Sequence, residues 1–216
     1  MDAETLCEEA YVKYESKDYF GAIEDLNIAI ILDPSEDFCY WLRAISKEEI
    51  KDYAGALEDF TKLIGIDPDD EAYYFRRARV FEKMKNYIAA IDDFTKLIGM
   101  DSTDELYYYA RAENREDIID YIGALEDFSA LIELDPDNAD YYYRRAKVKE
   151  KIKAYEGAIT DYLECMKLDP TERWHYNRCL EEARKRLKDF QDRLLNNLMP
   201  ITSFQLSLIF ADIYAN

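Results

Sequence analysis

The sequence predicts an all-α protein built from repeated pairs of antiparallel helices. Two stretches, YAGALEDFTKLIGIDPDD from Tyr53 and YIGALEDFSALIELDPDN from Tyr121, agree at twelve of eighteen positions and begin 68 residues apart. A related stretch begins halfway between them at Tyr87, and others begin at Tyr19 and Tyr155. Five copies at a constant step of 34 residues indicate an internal structural repeat.

Each copy contains two helical halves, which we call helix A and helix B. In the third copy, EAYYFRRARVFEKM (71–84) is followed by a short polar turn and then by AAIDDFTKLIGM. Both halves space their apolar residues about 3.6 apart and contain no proline. Asp-Pro pairs end four of the copies, at Pro34, Pro68, Pro136 and Pro170, and Ser102 holds the remaining place. The residues that follow are of types that cap helices, so we expect helix A to be capped by Ser35, Asp69, Thr103, Asp137 and Thr171.

The pattern within the copies resembles the tetratricopeptide repeat over roughly residues 3–170. The small residue of helix A recurs as Ala10, Ala44, Ala78, Ala112 and Ala146, and that of helix B as Ala22, Ala56, Ala90, Ala124 and Ala158. A large residue follows in helix B, at Leu26, Phe60, Phe94, Phe128 and Tyr162. The resemblance implies a right-handed superhelical solenoid of antiparallel helix pairs, with repeats at 3–36, 37–70, 71–104, 105–138 and 139–170.

The C-terminal residues form two further segments. Residues 171–199 are predicted to form one helix that caps the last repeat and ends at Pro200. The tail, 200–216, is nearly uncharged and places Leu206, Phe210 and Ile213 on one helical face. It is too short to span a membrane. Folding back onto the repeats or association with another copy is favoured over membrane contact, and docking of an outside partner is the further alternative.

Opposite charges recur with the period of the repeat. Helix A carries an arginine where the family usually has leucine, and helix B carries an aspartate in every copy; they are Arg43, Arg77, Arg111 and Arg145, with Asp25, Asp59, Asp93, Asp127 and Asp161. A half-buried arginine without a partner is costly, so we interpret the two rows as a structural ladder of ion pairs. The functional alternative is that the arginines bind an acidic ligand. The pattern leaves open whether each pair lies within one repeat or between neighbours.

The resemblance also predicts a binding groove lined by the A helices, which in this family typically holds a peptide. The residues that map to the groove are Trp41, Leu42, Ile45, Phe75, Arg76, Arg79, Tyr109, Tyr143, Arg144 and Lys147. Aromatic and arginine side chains dominate the energetics of protein interfaces. The alternative for the aromatic residues is that they only pack between neighbouring A helices.

Charge and composition exclude several other functions. The net charge is −19, and the seven basic residues after residue 170 outnumber the six acidic ones there, so the repeats carry −20. Such a surface repels phosphate backbones, which argues against nucleic acid as a partner. With His175 as the single histidine and no phosphate-binding loop, we expect no metal, no cofactor and no catalysis. The four glycines Gly21, Gly55, Gly123 and Gly157 share one repeat position, where we expect them to allow close helix packing.

The cysteines and the N-terminal residues are used to predict the cellular compartment of the protein. The four cysteines are scattered, which predicts reduced thiols, and the acidic start does not resemble a secretory signal, so the expected location is cytoplasmic. The leading functional hypothesis is an adaptor or scaffold that binds a protein segment in the groove. The alternative is a structural assembly subunit, self-associating or part of a complex, whose groove is filled by its own or a neighbour's tail.

Overall fold

The computed structural model describes the backbone of residues 2–214 and the side chains of residues 2–197. Within these residues the chain forms helices and no strand, and the prediction of an all-α fold is confirmed. The helices are α1 (Ala3–Glu15), α2 (Tyr19–Leu32), α3 (Asp37–Glu49), α4 (Tyr53–Ile66), α5 (Glu71–Lys83), α6 (Tyr87–Met100), α7 (Glu105–Asp117), α8 (Tyr121–Leu134), α9 (Ala139–Lys151), α10 (Tyr155–Leu168) and α11 (Arg173–Tyr214). Odd-numbered helices from α1 to α9 are the A helices, and even-numbered ones are the B helices.

The chain divides into two compact units, Met1–Gly123 and Ala124–Asn216. In the first unit each helix packs against the one before it, and α1 also contacts α3. Ala44 and Ala56 are completely buried, which lets α3 and α4 approach closely, and Phe60 fills the space beside them. In the second unit Ala146, Ala158 and Tyr162 form the equivalent core, and Leu180 of α11 packs against it.

The A helices begin one residue later than the capping pattern predicts. The side chains of Asp70, Asp104 and Asn138 cap α5, α7 and α9, and each accepts a hydrogen bond from the backbone N–H two residues on. The residues expected as caps instead donate their N–H groups to the aspartate two residues earlier, as Asp69 does to Asp67 at 3.0 Å. The expectation was wrong because an aspartate before proline closes a local turn of its own, which delays the next helix.

Two residues past the end of each A helix, the backbone adopts a left-handed conformation. These residues have φ between 57° and 66° and are Lys17, Lys51, Lys85, Ile119 and Lys153. The N–H of the following residue bonds to a carbonyl inside the helix, as Asp52 does to Lys47 at 2.8 Å. This is the hydrogen-bond pattern of a Schellman motif, which usually places glycine at the left-handed position. The turn between helix A and helix B is therefore fixed by its hydrogen bonds, without glycine.

The shared glycine position serves the cap of helix B. Gly21, Gly55 and Gly123 each donate an N–H to an aspartate three residues earlier, at 3.0 to 3.1 Å. A Cβ at any of the three would collide with the carboxylate of that aspartate. In the third repeat Ala89 holds the place, and its bond to Asn86 is longer, 3.4 Å. The expected close packing between helices also holds in part, because a Cβ would meet a helix A side chain at three of these positions: Lys47 at Gly55, Arg115 at Gly123 and Lys149 at Gly157.

The disulfide Cys7–Cys39 joins α1 to α3 and corrects the expectation of reduced thiols. The two residues are 32 apart in sequence, their Cα atoms are 5.9 Å apart, and both are buried. The separation is close to one repeat period, so the cysteines meet on facing sides of neighbouring A helices. Sequence spacing alone did not show this because the pair is not a local motif. Cys165 and Cys179 are free and buried. The cytoplasmic location stays a prediction, without support from the thiols.

The last helix continues past the proline that was expected to end it. Helix α11 runs from Arg173 to Tyr214 and includes Pro200. Proline removes one backbone hydrogen bond and kinks a helix, but its cost is local, so helix can form on both sides. The side chains of the tail, 200–216, lie outside the described residues, and its docking is untested. Among the described residues, no helix is long and apolar enough to cross a membrane.

Candidate functional site

Three of the arginines of the A helices hold aspartates of the B helices in the same repeat. Arg43 donates from Nε and Nη2 to the Asp59 carboxylate at 2.9 and 2.6 Å. The corresponding distances are 2.9 and 2.7 Å from Arg77 to Asp93, and 3.1 and 2.9 Å from Arg145 to Asp161. All three aspartates are buried. This two-pronged geometry is the strong form of an arginine–carboxylate pair.

The remaining arm of each guanidinium reaches the preceding repeat. Nη1 of Arg43 donates to Asn27 at 2.7 Å, and Nη1 of Arg77 donates to Thr61 at 3.2 Å. Arg111 and Arg145 make the same kind of contact with Thr95 and Ser129. Each of the four guanidinium groups also lies 5.6 to 5.8 Å from a tyrosine ring of its own helix. Because their donors and faces are engaged within the fold, these arginines do not form a free surface for an acidic ligand.

Lysines modify the ladder in individual repeats. In the first repeat Glu9 stands at the arginine position, and Lys13 pairs with Asp25 at 2.5 Å. Lys47 adds a second cation to Asp59 at 2.8 Å, and Lys149 adds one to Asp161 at 2.7 Å. The third repeat has Phe81 at this position, so Asp93 is paired with Arg77 alone among the described residues. Asp127 is buried.

The aromatic residues assigned to the groove pack between repeats and keep part of their surface exposed. Trp41 contacts Phe60 of its own repeat and Tyr73 of the next, both at 5.8 Å between ring centroids. Phe75 makes equivalent contacts with Phe94 and Tyr107. Tyr143 does the same with Tyr162 and Tyr176. Trp41, Phe75, Tyr109 and Tyr143 are all half-buried. Packing therefore accounts for much of the stripe, and an exposed part is left for contact with a partner.

The predicted basic groove residues differ in how free they are. Arg79 forms an ion pair with Glu82 at 2.6 Å, and Lys147 pairs with Glu150 at 3.3 Å. Arg144 lies 4.0 Å from Asp140. Arg76 is exposed, its guanidinium lies 5.7 Å from the Trp41 ring, and it makes no ion pair within residues 2–197. Arg76 is thus the basic residue of the set whose hydrogen-bond donors are available.

The two aliphatic residues of the predicted groove lie in different places. Ile45 is half-buried and packs against the cores of the first two repeats. Leu42 is 1 % exposed and belongs to the core between α1, α2 and α3. The assignment of Leu42 to the groove was therefore wrong. Successive side chains on a helix point about 100° apart, so Leu42 points into the core although its neighbour Trp41 is half-buried.

A cleft opens beside Trp41 at the start of the A helices α3 and α5. Its volume is about 250 Å³, and it is lined by Asp37, Phe38, Trp41, Asp70, Ala72 and Tyr73. Phe38 is 43 % exposed, and Asp70 already caps α5. The cleft combines three aromatic side chains with two carboxylates, and Arg76 lies across the indole ring of Trp41. This surface is suited to a side chain that is apolar along its length and polar at its end.

Two further sets of contacts were missed in the sequence, and they join neighbouring A helices or join α11 to α9. Tyr107 donates its hydroxyl hydrogen to Glu71 of the preceding repeat at 2.8 Å, and burial raises the pKa of Tyr107. At the other end of the helices, Lys83 pairs with Glu48, Asn114 donates to Glu82 at 2.5 Å, and Arg186 donates to Glu150 at 2.9 Å. The 34-residue recurrence of the glutamates was a usable signal, because a row of acids along neighbouring helices requires cations or donors between them.

Two cysteines in the described part of the chain, Cys165 and Cys179, carry free thiols. Burial raises the pKa of Cys165 to about 12 and also raises that of Cys179, so both thiols are protonated at neutral pH and poor nucleophiles. His175 lies 3.9 Å from the Cys179 sulfur and packs against the Tyr143 ring. The described residues contain no group of three or more ligating side chains placed to hold a metal ion.

Comparisons with known proteins agree with this architecture. The family model of the tetratricopeptide repeat matches residues 71–104 and 139–172. The chain contains tetratricopeptide repeats. The recognition from the sequence is thereby confirmed. No curated protein sequence matches this repeat protein.

Solved structures with the same fold have low sequence identity to this chain. A crystal structure of MamA protein has a TM-score of 0.67 and 16% identity, covering 79% of this chain and 93% of that one. MamA from Desulfovibrio magneticus RS-1, residues 41 to the end, has a TM-score of 0.64 and 16% identity, with 79% and 96% covered. YrrB, described as a tetratricopeptide repeat protein with an unusual peptide-binding site, has a TM-score of 0.65 and 17% identity, with 82% and 92% covered. These similarities establish the fold.

Proposed function

We propose that the protein is a non-catalytic interaction scaffold that binds a peptide segment of a partner protein on the A-helix surface around Trp41 and Arg76. The observation that carries the proposal is the exposed Arg76 guanidinium, 5.7 Å from the Trp41 ring and without an ion pair within residues 2–197. A rigid aromatic ring beside an uncommitted arginine is the combination found in binding hot spots. The other groove cations are engaged with nearby carboxylates.

The cleft beside Trp41 defines what the segment should contain. An apolar or aromatic side chain fits against Phe38, Trp41 and Tyr73, which line one cleft of about 250 Å³. Arg76 offers planar donors for a carboxylate of the segment, and Asp37 offers an acceptor. The proposed recognition motif is thus a bulky apolar residue with a carboxylate close by in the sequence. Nucleic acid does not fit the proposal, because the net charge of −19 opposes a phosphate backbone.

The proposal is tested by selecting peptides from a random displayed library on the intact chain and measuring their affinity for variants. We expect Arg76→Glu to weaken the selected peptides by about 30-fold, the effect of losing a contact of about 2 kcal/mol. Ala72→Trp, which fills the cleft from an exposed position, should also abolish binding.

A matched control exists in the same chain. Arg178 lies 5.3 Å from the Trp174 ring, so Arg178→Glu removes the same kind of pair from α11 and should leave affinity unchanged. All variants are first shown to have the melting temperature of the unmodified chain. Peptides that bind the unmodified chain and Arg76→Glu equally well would contradict the proposed site, and failure to select any peptide would contradict peptide binding.

The assembly-subunit alternative places the tail, 200–216, in the groove of its own or another chain. The same peptide experiment distinguishes it. A synthetic peptide of residues 200–216 that competes with selected peptides at the Trp41 cleft would favour the alternative, whereas the scaffold proposal expects no competition.

A further inference from the structure

Helix α2 of the first repeat carries large apolar residues on its exposed side as well as on its buried side. Ala22, Leu26 and Ala29 are completely buried against neighbouring helices. On other sides, Phe20 is 68 % exposed, Ile28 51 % and Ile31 79 %. A helix that carries large apolar residues on opposite sides normally has protein on both of them. Among the described residues, α1 and α3 are the helices that pack extensively on α2.

Two of the exposed residues of α2, Ile28 and Ile31, are specific to the first repeat, whereas the positions of Phe20 and Leu32 hold apolar residues in later repeats as well. The position of Ile28 holds Lys62, Lys96, Ala130 and Glu164 in the later repeats. The position of Ile31 holds Gly65, Gly99, Glu133 and Lys167. The helix-pair fold therefore does not need an apolar side chain at either place. A large apolar residue that the fold leaves exposed, and that the other repeats replace with small or charged ones, indicates a contact made by this repeat alone.

The exposed residues of α2 form one continuous surface, which we call the α2 face. It consists of Phe20, Ile28, Ile31 and Leu32, with Glu24 among them. At 100° per residue, Phe20, Ile31 and Ile28 lie within about 80° of arc, and Leu32 extends the surface at its end. Glu24 is exposed and lies inside the same arc. The shape and composition fit an apolar helix that lies along α2, with a cation near Glu24.

Charge decides between the occupants that this chain itself could supply. Residues 3–36 contain nine acidic residues and two lysines. Two α2 faces pressed together would therefore bring two strongly acidic repeats and two Glu24 carboxylates into contact, which like-charge repulsion opposes. A complementary surface has to be basic or neutral as well as apolar.

The C-terminal helix has those properties. From 173 to 197 it carries seven Lys/Arg and four Asp/Glu, the reverse of the balance in the first repeat. Leu194 and Leu195 are exposed on it, at 45 % and 61 %. The sequence then continues with the apolar tail, 200–216, in which Asp212 is the only charged side chain. The basic part of α11 complements the charge of the acidic first repeat, and the apolar tail that follows complements the apolar α2 face.

We propose that the α2 face binds the C-terminal tail, 200–216, of a second copy of this chain, with the basic turns of that copy's α11 beside the acidic first repeat. The contact joins two different surfaces, so it either forms twice in a closed pair or propagates from chain to chain. It uses neither the Trp41 cleft nor Arg76. Peptide binding and self-association are therefore separable.

The test uses two full-length variants and their mixture. The first, Ile28→Lys with Ile31→Glu, introduces the residue types that later repeats carry at these positions, so the fold is expected to persist. The second, Leu206→Asp with Phe210→Asp, alters only the tail. Analytical ultracentrifugation should show that the unmodified chain associates as its concentration rises, and that each variant alone sediments as a single chain. A mixture of the two should form a one-to-one complex, because each still supplies the half that the other lacks.

The control is Ile88→Lys, which changes an apolar side chain on α6 that is 66 % exposed, and it should associate as the unmodified chain does. Circular dichroism and melting temperature verify that each variant is folded. The proposal is overturned if the unmodified chain stays monomeric, since a tail bound to its own first repeat or to another partner gives that result. It is also overturned if the α2 variant still associates, or if the mixture of folded variants remains monomeric.

Discussion

The Arg77 guanidinium donates two hydrogen bonds to Asp93, from Nε at 2.9 Å and from Nη2 at 2.7 Å. Asp93 is 5 % exposed, and Arg77 supplies its ion pair alone among the described residues, whereas Asp59 is paired with both Arg43 and Lys47. An aspartate with one cationic partner loses its whole ion pair when that partner is replaced, whereas an aspartate with two partners keeps one of them. The third repeat is therefore the place to measure what the ladder contributes.

Replacing Asp93 by alanine should lower the free energy of unfolding by about 3 kcal/mol, because Arg77 would remain half-buried without its counter-ion. Urea denaturation followed by circular dichroism measures the change. Asp92→Ala, at the exposed neighbouring aspartate, should change stability by less than about 0.5 kcal/mol. Equal effects from the two substitutions would show that the ladder contributes nothing to stability.

Replacing Ile119 by glycine should stabilise the protein. Ile119 has φ of 65° and is 70 % exposed, so a β-branched side chain occupies a left-handed conformation and buries little surface. Relief of that conformation is worth about 1 kcal/mol or more, which exceeds the entropy that glycine adds to the unfolded chain. A rise in melting temperature is the expected result. Lys85→Gly, in the equivalent turn at φ 57°, should give a smaller rise, because lysine is not β-branched.

Tyr176 should make the fold sensitive to alkaline pH. Burial, and then the nearby Asp169 charge, raise the pKa of Tyr176 from 10 to about 12. The folded state thus holds this proton more tightly than the unfolded chain, so the contribution to stability is complete below pH 10 and is lost between about pH 10 and 12. Denaturation midpoints measured across this range should fall less steeply in Tyr176→Phe. Tyr11→Phe, at an exposed tyrosine, should keep the slope of the unmodified chain.

The Cys7–Cys39 disulfide predicts how many cysteines of the protein react with a thiol reagent. Protein purified without reductant and then denatured should react with two equivalents of thiol reagent, from Cys165 and Cys179, and with four after reduction. Reduction should lower stability by about 3 to 4 kcal/mol on the loop-entropy estimate for a separation of 32 residues. Four reactive thiols before reduction would contradict the disulfide in the purified protein.

The local features of the fold that could be predicted from the sequence are those that recur in each repeat. Asp-Pro pairs and alanine positions recur every 34 residues, so helix order and the close approach of helix pairs could be predicted. Cap positions were wrong by one residue, because Asp67 and its equivalents close their own turns. Leu42 was misplaced because an assignment by family resemblance does not fix which side of a helix faces the core.

The sequence by itself determined the helix pairs, their number and the residues that close the space between them, because these depend on periodicity and side-chain size. Only the tertiary structure decided that Arg43, Arg77 and Arg145 bond within their own repeats while reaching back to the one before. It also decided that Arg76 is free of ion pairs within residues 2–197 and that the outer side of α2 is exposed. Such properties depend on which atoms of neighbouring helices come within hydrogen-bond distance, and a repeat period does not encode that distance.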